Sequence, residues 1–156
     1  MIRAATAADA PAIAAIWNAY IRDTTVTFTL DEKSAADVAA LIASPDPCLV
    51  WDTGQITGFA RTFQFRGGRG YARSGEHTIL LAPAAQGKGL GRALLRAIEG
   101  VAKARGFHSL IAGVSGENTA GVAFHAACGF VTVGIIPESG FKFGRWIDLV
   151  LMHKRL

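Results

Sequence analysis

The apolar positions of this chain change period several times, and each change marks an element. Ile13, Ile16, Trp17 and Tyr20 recur at spacings of three and four, the single stripe of an amphipathic helix. Thr6 and Asp9 precede that stripe at the spacing of a capping box, with Asp in place of Glu. The run Thr24-Thr25-Val26-Thr27 is β-branched, disfavours further helix, and ends it. Ser34 can cap a second helix striped by Val38, Leu41 and Ile42 and closed by Pro45 and Pro47. Met1 to Ala5 suits a short first strand. Cys48 to Asp52 and Gln55 to Phe65 suit two strands joined by a turn at Thr53-Gly54. Arg66-Gly67-Gly68-Arg69-Gly70 reads as a loop by its glycines.

The second half alternates more regularly. Glu76 to Ala82 is a strand whose run Ile79-Leu80-Leu81 suits burial on both faces, and Pro83 closes it. Leu90, Leu94, Ile98, Val101 and Ala102 form the stripe of a long helix ending at Gly106. Ser109 to Val114 is a strand, Asn118 opens a helix that ends at Gly129, and Phe130 to Ile136 and Trp146 to Met152 are the last strands. The order predicts an α+β fold, a mixed α/β sheet with helices on both faces, in one domain spanning residues 1–156.

Composition narrows the function classes. Hydrophobic residues make up 51% of the chain, enough for a core and against disorder. Cys48 and Cys128 form no C-x-x-C pair and have no His at ligand spacing, so we expect neither a disulfide framework nor a metal site, and expect a cytoplasmic protein. No apolar run reaches the roughly 18 residues of a membrane span, and Asp9 and Pro11 interrupt the stretch a signal peptide would need. The net charge of +4 suggests an anionic partner. The basic residues are scattered without an aromatic-basic motif, which argues against nucleic acid. His77, His108 and His153 show no ligand spacing, and Trp17, Trp51 and Trp146 suit the core.

The chemistry is concentrated after the Ile79–Ala82 strand. Gln86-Gly87-Lys88-Gly89-Leu90-Gly91-Arg92 runs from a Gly-rich turn into a helix start. Glycine lets backbone approach a ligand closely, and the helix start offers free N–H groups and a positive dipole end. With Lys88 and Arg92 this describes a pyrophosphate cradle. It is not a Walker A loop, because Lys88 is followed by Gly89 and not by Ser or Thr. It is not a Rossmann fingerprint either, because it reads G-x-G-x-G in mid-chain.

Gln86-Gly87-Lys88-Gly89-Leu90-Gly91 resembles the acetyl-CoA signature of the GNAT superfamily of N-acetyltransferases. Asn118 and the pair Gly129-Phe130 also fall where that family opens and closes its next helix. The chain is most similar to the phosphinothricin and methionine sulfoximine branch. Supporting residues are Trp17 to Ile21, Thr25 to Phe28, Glu76-His77-Thr78, His125, and the block Gly140 to Asp148. The resemblance implies the GNAT fold, a central mostly antiparallel sheet splayed at the signature strand. It implies acetyl-CoA as co-substrate, no metal, a small-molecule amine as acceptor and a homodimer. The implied cofactor-binding residues are Ile79, Leu80, Leu81, Gln86 to Arg92 and Asn118.

Acetyl transfer needs a neutral amine, a polarised thioester carbonyl and a stabilised leaving thiolate. The resemblance puts the base at Glu76, the polarising N–H groups around Leu80 and Leu81, and a candidate acid at His125. An amino-acid acceptor with a phosphinate, sulfoximine or sulfone head needs cationic and hydroxyl donors. Arg66, Arg73 and Thr78 fit that need, and Phe28 and Tyr71 could wall the pocket. Lys142 to Trp146 could reach it from a neighbouring subunit. The branch commonly has Ser where this chain has Gly121. Rival readings are another amine acceptor, a non-catalytic CoA-binding domain and, more remotely, a basic nucleic-acid binder.

Overall fold

A computed structural model describes all 156 residues. The strands are β1 (Ile2–Ala4), β2 (Cys48–Asp52), β3 (Ile56–Gln64), β4 (Ser74–Leu81), β5 (Ser109–Ser115), β6 (Val131–Lys142) and β7 (Arg145–Arg155). The helices are α1 (Ala10–Asp23), α2 (Ala35–Ala43), α3 (Leu90–Ala104) and α4 (Thr119–Ala127). The seven strands form one sheet in the order β1-β2-β3-β4-β5-β7-β6. Only the β4–β5 pairing is parallel.

Strand alternation sorts the core into two layers. Val50, Phe59 and Leu80 bury against α1 and α2, together with Ile13, Trp17 and Val38. Their sequence neighbours Leu49 and Ala60 face the opposite layer, where Leu94, Leu95 and Ile98 of α3 pack. These three α3 side chains are fully buried. Each such side chain contributes about 1.5–3 kcal/mol from the area it removes from water.

The expected starts and stops hold with three adjustments. The capping box at Thr6 and Asp9 introduces one short turn, Ala7–Asp9, before α1 begins at Ala10. β4 starts at Ser74, two residues earlier than expected. The last two strands are far longer than the stretches Phe130–Ile136 and Trp146–Met152. Pro137, Glu138 and Ser139 look like a strand end, but they form a bulge: the register jumps between Ile136 and Gly140, and Glu138 takes φ 51°. β6 is an edge strand, where a proline breaks no ladder bond. The Asp148 side chain accepts from the Glu138 N–H at 2.9 Å and supports the bulge. Beyond it the strands pair to Lys142 and Arg145 around Phe143-Gly144. Both residues of that turn have positive φ, the two-residue geometry that matches strand twist.

β4 and β5 pair only over Ser74–Glu76 and Ser109–Ile111. Past Glu76 the sheet splays, and the opening lies beside residues 77–81 of β4.

Candidate active site

Two cavities meet in the splay. The first, about 490 Å³, is bounded by Phe63, Glu76, Thr78, Ser115 and the segment Val26–Thr29. The second, about 580 Å³, runs past Tyr20, Leu81, Gln86, Gly87, Gly89, Gly91 and Arg92 to Gly121 and Phe124. Val26, Ile79, Leu80, Asn118 and His125 line both. A reaction between two bound molecules belongs at that junction.

The second cavity has the character of an anion cradle. Gly87 and Gly89 take φ 73° and 76°, and a Cβ on either would meet open space. The glycines are therefore there for backbone conformation. Gly89 caps α3 without any side-chain hydrogen bond. The first intrahelical bond is Ala93 N–H to the Gly89 carbonyl, so the N–H groups of Leu90, Gly91 and Arg92 have no partner within the helix. Gly91 is a close approach: a Cβ there would be 3.4 Å from both Leu81 and Phe124. Lys88 is exposed, and neither it nor Leu90 lines the cavity.

Tyr20 organises this turn. Its hydroxyl donates to the Leu81 carbonyl at 2.6 Å and accepts from Gln86 Nε2 at 2.7 Å. The end of β4 and the start of the glycine turn are thus tied to α1. Read on sequence alone, Tyr20 is one more member of an apolar stripe. The available signal was its phenol, which needs a polar partner when part-buried.

The ladder decides which backbone N–H groups reach the splay. Ala82 N–H bonds to the Thr57 carbonyl at 2.8 Å, and antiparallel bonding alternates along a strand. The N–H of Leu80 is therefore directed at β3, whereas those of Ile79 and Leu81 face the opening. This sharpens the expectation around Leu80 and Leu81: the free donors come from the odd-numbered residues.

In the first cavity Glu76 is half-buried, with no hydrogen bond or ion pair to its carboxylate. Burial raises its pKa above the ordinary carboxylate value. Thr78 and Phe28 line the same cavity. Arg66, Tyr71 and Arg73 do not. They lie exposed on the excursion between Phe65 and Ser74, which the Phe65 N–H closes onto the Ser74 carbonyl at 2.9 Å. Arg66 stands 5.8 Å over the Tyr71 ring there.

The Val26–Thr29 wall is held by the β6–β7 hairpin of the same chain. Lys142 is 1% exposed, and its Nζ donates to the Thr27 carbonyl at 2.9 Å. Burial lowers its pKa. Phe28 packs against Gly140, where a Cβ would fall 2.6 Å from the ring's Cγ. Arg145 donates to both oxygens of Glu117, and the Thr25 hydroxyl also donates to Glu117. The expectation that Lys142 to Trp146 serve a neighbouring subunit therefore divides: Lys142 is buried in its own chain, while Phe143 and Trp146 are exposed.

Asn118 caps α4, its Oδ1 accepting from the Gly121 N–H at 2.9 Å. A Cβ on Gly121 would sit 2.7 Å from Asn118 Cγ, so glycine is what lets this cap fold over the helix start. His125 is buried one turn later. Its Nδ1 is 2.8 Å from the Gly121 carbonyl and its Nε2 is 3.0 Å from Nε2 of His77. Both ring nitrogens are thus engaged inside the protein, and burial lowers the pKa of His125. His77 is also buried, and burial followed by the adjacent His125 brings its pKa down to about 3. His77 has no ligand spacing in the sequence that would mark it. Its signal was strand alternation, which turns it away from Glu76 and toward α4.

Comparisons with known proteins agree with this geometry. Residues 2–151 match the acetyltransferase (GNAT) domain. The phosphinothricin N-acetyltransferase of Alcaligenes faecalis is 38% identical over 95% of this chain and 78% of its own length. The L-methionine sulfoximine/L-methionine sulfone acetyltransferase of Salmonella typhimurium is 34% identical over 99% and 94%. A phosphinothricin acetyltransferase from Sinorhizobium meliloti, solved in complex with acetyl-CoA, superposes with a TM-score of 0.94 at 33% identity, covering 100% of this chain and 88% of that one.

Proposed function

Because this chain belongs to the GNAT acetyltransferase family and is thereby an acyltransferase, we propose that it transfers acetyl from acetyl-CoA to the α-amino group of a small amino acid of the phosphinothricin, methionine sulfoximine or methionine sulfone type. The observation that carries this reading is the unpaired Glu76 carboxylate in one cavity, opening onto a second cavity with the features of a pyrophosphate cradle. The relatives' names supply the acceptor class.

The residues fit acetyl-CoA. Gly87, Gly89 and the free N–H groups at the start of α3 suit the pyrophosphate, with Arg92 adding charge. The pantetheine arm would follow the unpaired edge of β4 toward Ile79. Acetyl transfer then runs in a ternary complex. The amine nitrogen attacks the thioester carbon, the C–N bond forms and the C–S bond breaks. The N–H groups of Ile79 and Leu81 are the available donors for the oxyanion, and one such donor contributes roughly 3 kcal/mol.

An α-amino group has a pKa of about 8, so Glu76 needs only to take the ammonium proton directly or through one water. Burial raises its pKa and so brings it nearer the amine in basicity. The departing thiolate would meet His125, which lines both cavities; its Nδ1–H is bonded to the Gly121 carbonyl at 2.8 Å, so His125 acts as the acid only when that bond opens, and otherwise solvent protonates the sulfur. Thr78 and Phe28 line the cavity that would take the acceptor, whereas Arg66, Tyr71 and Arg73, expected to bind its anionic head, lie outside that cavity on the exposed excursion. A homodimer is supported by exposed Val131, Val133, Ile135, Phe141 and Trp146 on the β6–β7 hairpin. The two free cysteines support a cytoplasmic setting.

The test follows free thiol release from acetyl-CoA with phosphinothricin, methionine sulfoximine, methionine sulfone, spermidine and an aminoglycoside as acceptors. The amino-acid analogues should turn over, and Glu76→Gln should lower kcat by about 10²–10⁴ with acetyl-CoA affinity unchanged. Turnover confined to the other amines would overturn the acceptor class. Full activity of Glu76→Gln would remove Glu76 from catalysis.

A further inference from the structure

Ser115 is 2% exposed, lines the acceptor-side cavity and has no place in the chemistry set out above. Strand alternation decides which way it faces. Ala112 and Val114 of β5 pack into the α3 layer, so Gly113 and Ser115 face the layer of α1 and α2. Glu76 and Thr78 of β4 share the parity of Leu80, which packs in that same layer. Gly113 supplies no side chain, and a Cβ there would be 3.6 Å from Oε1 of Glu76. The Glu76 carboxylate therefore lies over Gly113, and Ser115 is the next residue along the same face. The Ser115 hydroxyl oxygen accepts the Glu117 N–H at 3.3 Å, but its proton has no acceptor in the protein. A buried hydroxyl with an unspent donor, facing a cavity, is complementary to an acceptor oxygen on the molecule that fills it.

We propose that the Ser115 hydroxyl binds the carboxylate of the amino-acid acceptor and so selects α-amino acids over simple amines. Its place in the cavity fits the carboxylate and not the far end of the substrate. The Asn118 N–H bonds to the Ser115 carbonyl at 2.9 Å, and Asn118 lines both cavities, so Ser115 stands next to the junction where the amine reacts. The group nearest a reacting α-amine is its own carboxylate. The spacing agrees. Two residues along a strand cover about 7 Å. An amine nitrogen about 3 Å from its own carboxylate oxygens, with a hydrogen bond of about 2.8 Å at each end, bridges that span. The amine then faces Glu76 while the carboxylate faces Ser115. Charge points the same way. No lysine or arginine lines this cavity, and Glu76 is its only carboxylate. An entering carboxylate is therefore held by uncharged donors, and the ammonium it arrives with offsets the charge of Glu76.

This inference rests on the amino-acid acceptor class proposed above, and its test separates the two. Wild type and Ser115→Ala are compared on methionine sulfone and on the amine left by its decarboxylation, which keeps the amine and the sulfone but has no carboxylate. Ser115→Ala should lower kcat/KM for methionine sulfone by about 10–100-fold and change that for the decarboxylated amine less than about twofold, with acetyl-CoA affinity by calorimetry unchanged. Ser115→Cys keeps the side-chain size with only a weak donor, and should share the selective loss. Where turnover of the decarboxylated amine is too slow to read, calorimetry of both ligands on the protein–CoA complex gives the same comparison. An equal loss on both amines would make Ser115 a packing residue and overturn the proposal, and so would no loss on either. If wild type acetylates spermidine or an aminoglycoside but not methionine sulfone, the acceptor class itself falls and the role of Ser115 falls with it.

Discussion

Gly140→Ala is a sharp test of how the acceptor cavity is built, because the perturbation is one methyl group and its target is one ring. The backbone at Gly140 is not left-handed, so alanine brings no conformational strain. The new Cβ would lie 2.6 Å from Cγ and 2.7 Å from Cε2 of Phe28. Carbon atoms pack at about 3.5–4.0 Å, so the ring must retreat by roughly 1 Å. Phe28 lines the acceptor cavity, and the chain just before it is fixed by Lys142 to Thr27 and by Glu117 to Thr25. The ring therefore has to move relative to the cavity. A misplacement of about 1 Å at a reacting pair costs on the order of 10²-fold. We expect kcat/KM for the amine to fall by about 10–100-fold, with acetyl-CoA affinity unchanged because Phe28 does not line the second cavity. Steady-state kinetics varying each substrate in turn reads this directly. Pairing Gly140→Ala with Phe28→Leu, which shortens the obstructed side chain, should give less than the sum of the two losses. Unchanged amine kinetics in Gly140→Ala would show that this wall of the cavity is not what holds the acceptor.

Two further outcomes concern folding and the cradle. Asp9 accepts from both terminal nitrogens of Arg3 and from Thr6, and the Arg3 bonds hold its carboxyl far below the usual carboxylate range. A depressed folded-state pKa contributes stability above the unfolded value of 3.8 and loses it as pH falls from there. Asp9→Asn should lower the Tm at pH 7 and flatten its decline below about pH 5, while an unchanged acid profile would refute the linkage. Gly89→Ala has open space for its methyl group but must hold φ near 76°, which costs an L-residue about 1–2 kcal/mol. It should weaken acetyl-CoA binding by calorimetry more than it affects the amine, and equal binding would mean the turn does not form the cradle.

Much of this fold follows from local pattern, because local pattern is what short-range forces read. The stripes of α1 and α3, the Ser34 cap of α2, the strand ending at Leu81 and the glycine turn after it are all set within about one turn or one strand of sequence. The lengths of β6 and β7 are not, because Pro137, Glu138 and Ser139 mimic a chain reversal and become a bulge only when β7 lies alongside. The same divide runs through the site. Glu76, Thr78, Asn118 and the cradle glycines could be picked out from residue type and spacing together with family resemblance, whereas Tyr20 and His77 could not. Tyr20 meets Gln86 across 66 positions and His77 meets His125 across 48.

The stripes and turns of the sequence were enough to specify which segments become helix or strand, that the Gln86–Arg92 turn suits an anion, and that a carboxylate precedes it. Tertiary structure alone decided that β4 parts from β5 after Glu76, which N–H groups that parting frees, and that a hairpin more than a hundred residues distant supplies the wall behind Phe28. The physical reason is that a periodic pattern specifies which face of an element is buried, but not which other face covers it. Cavities and free backbone donors are properties of the covering.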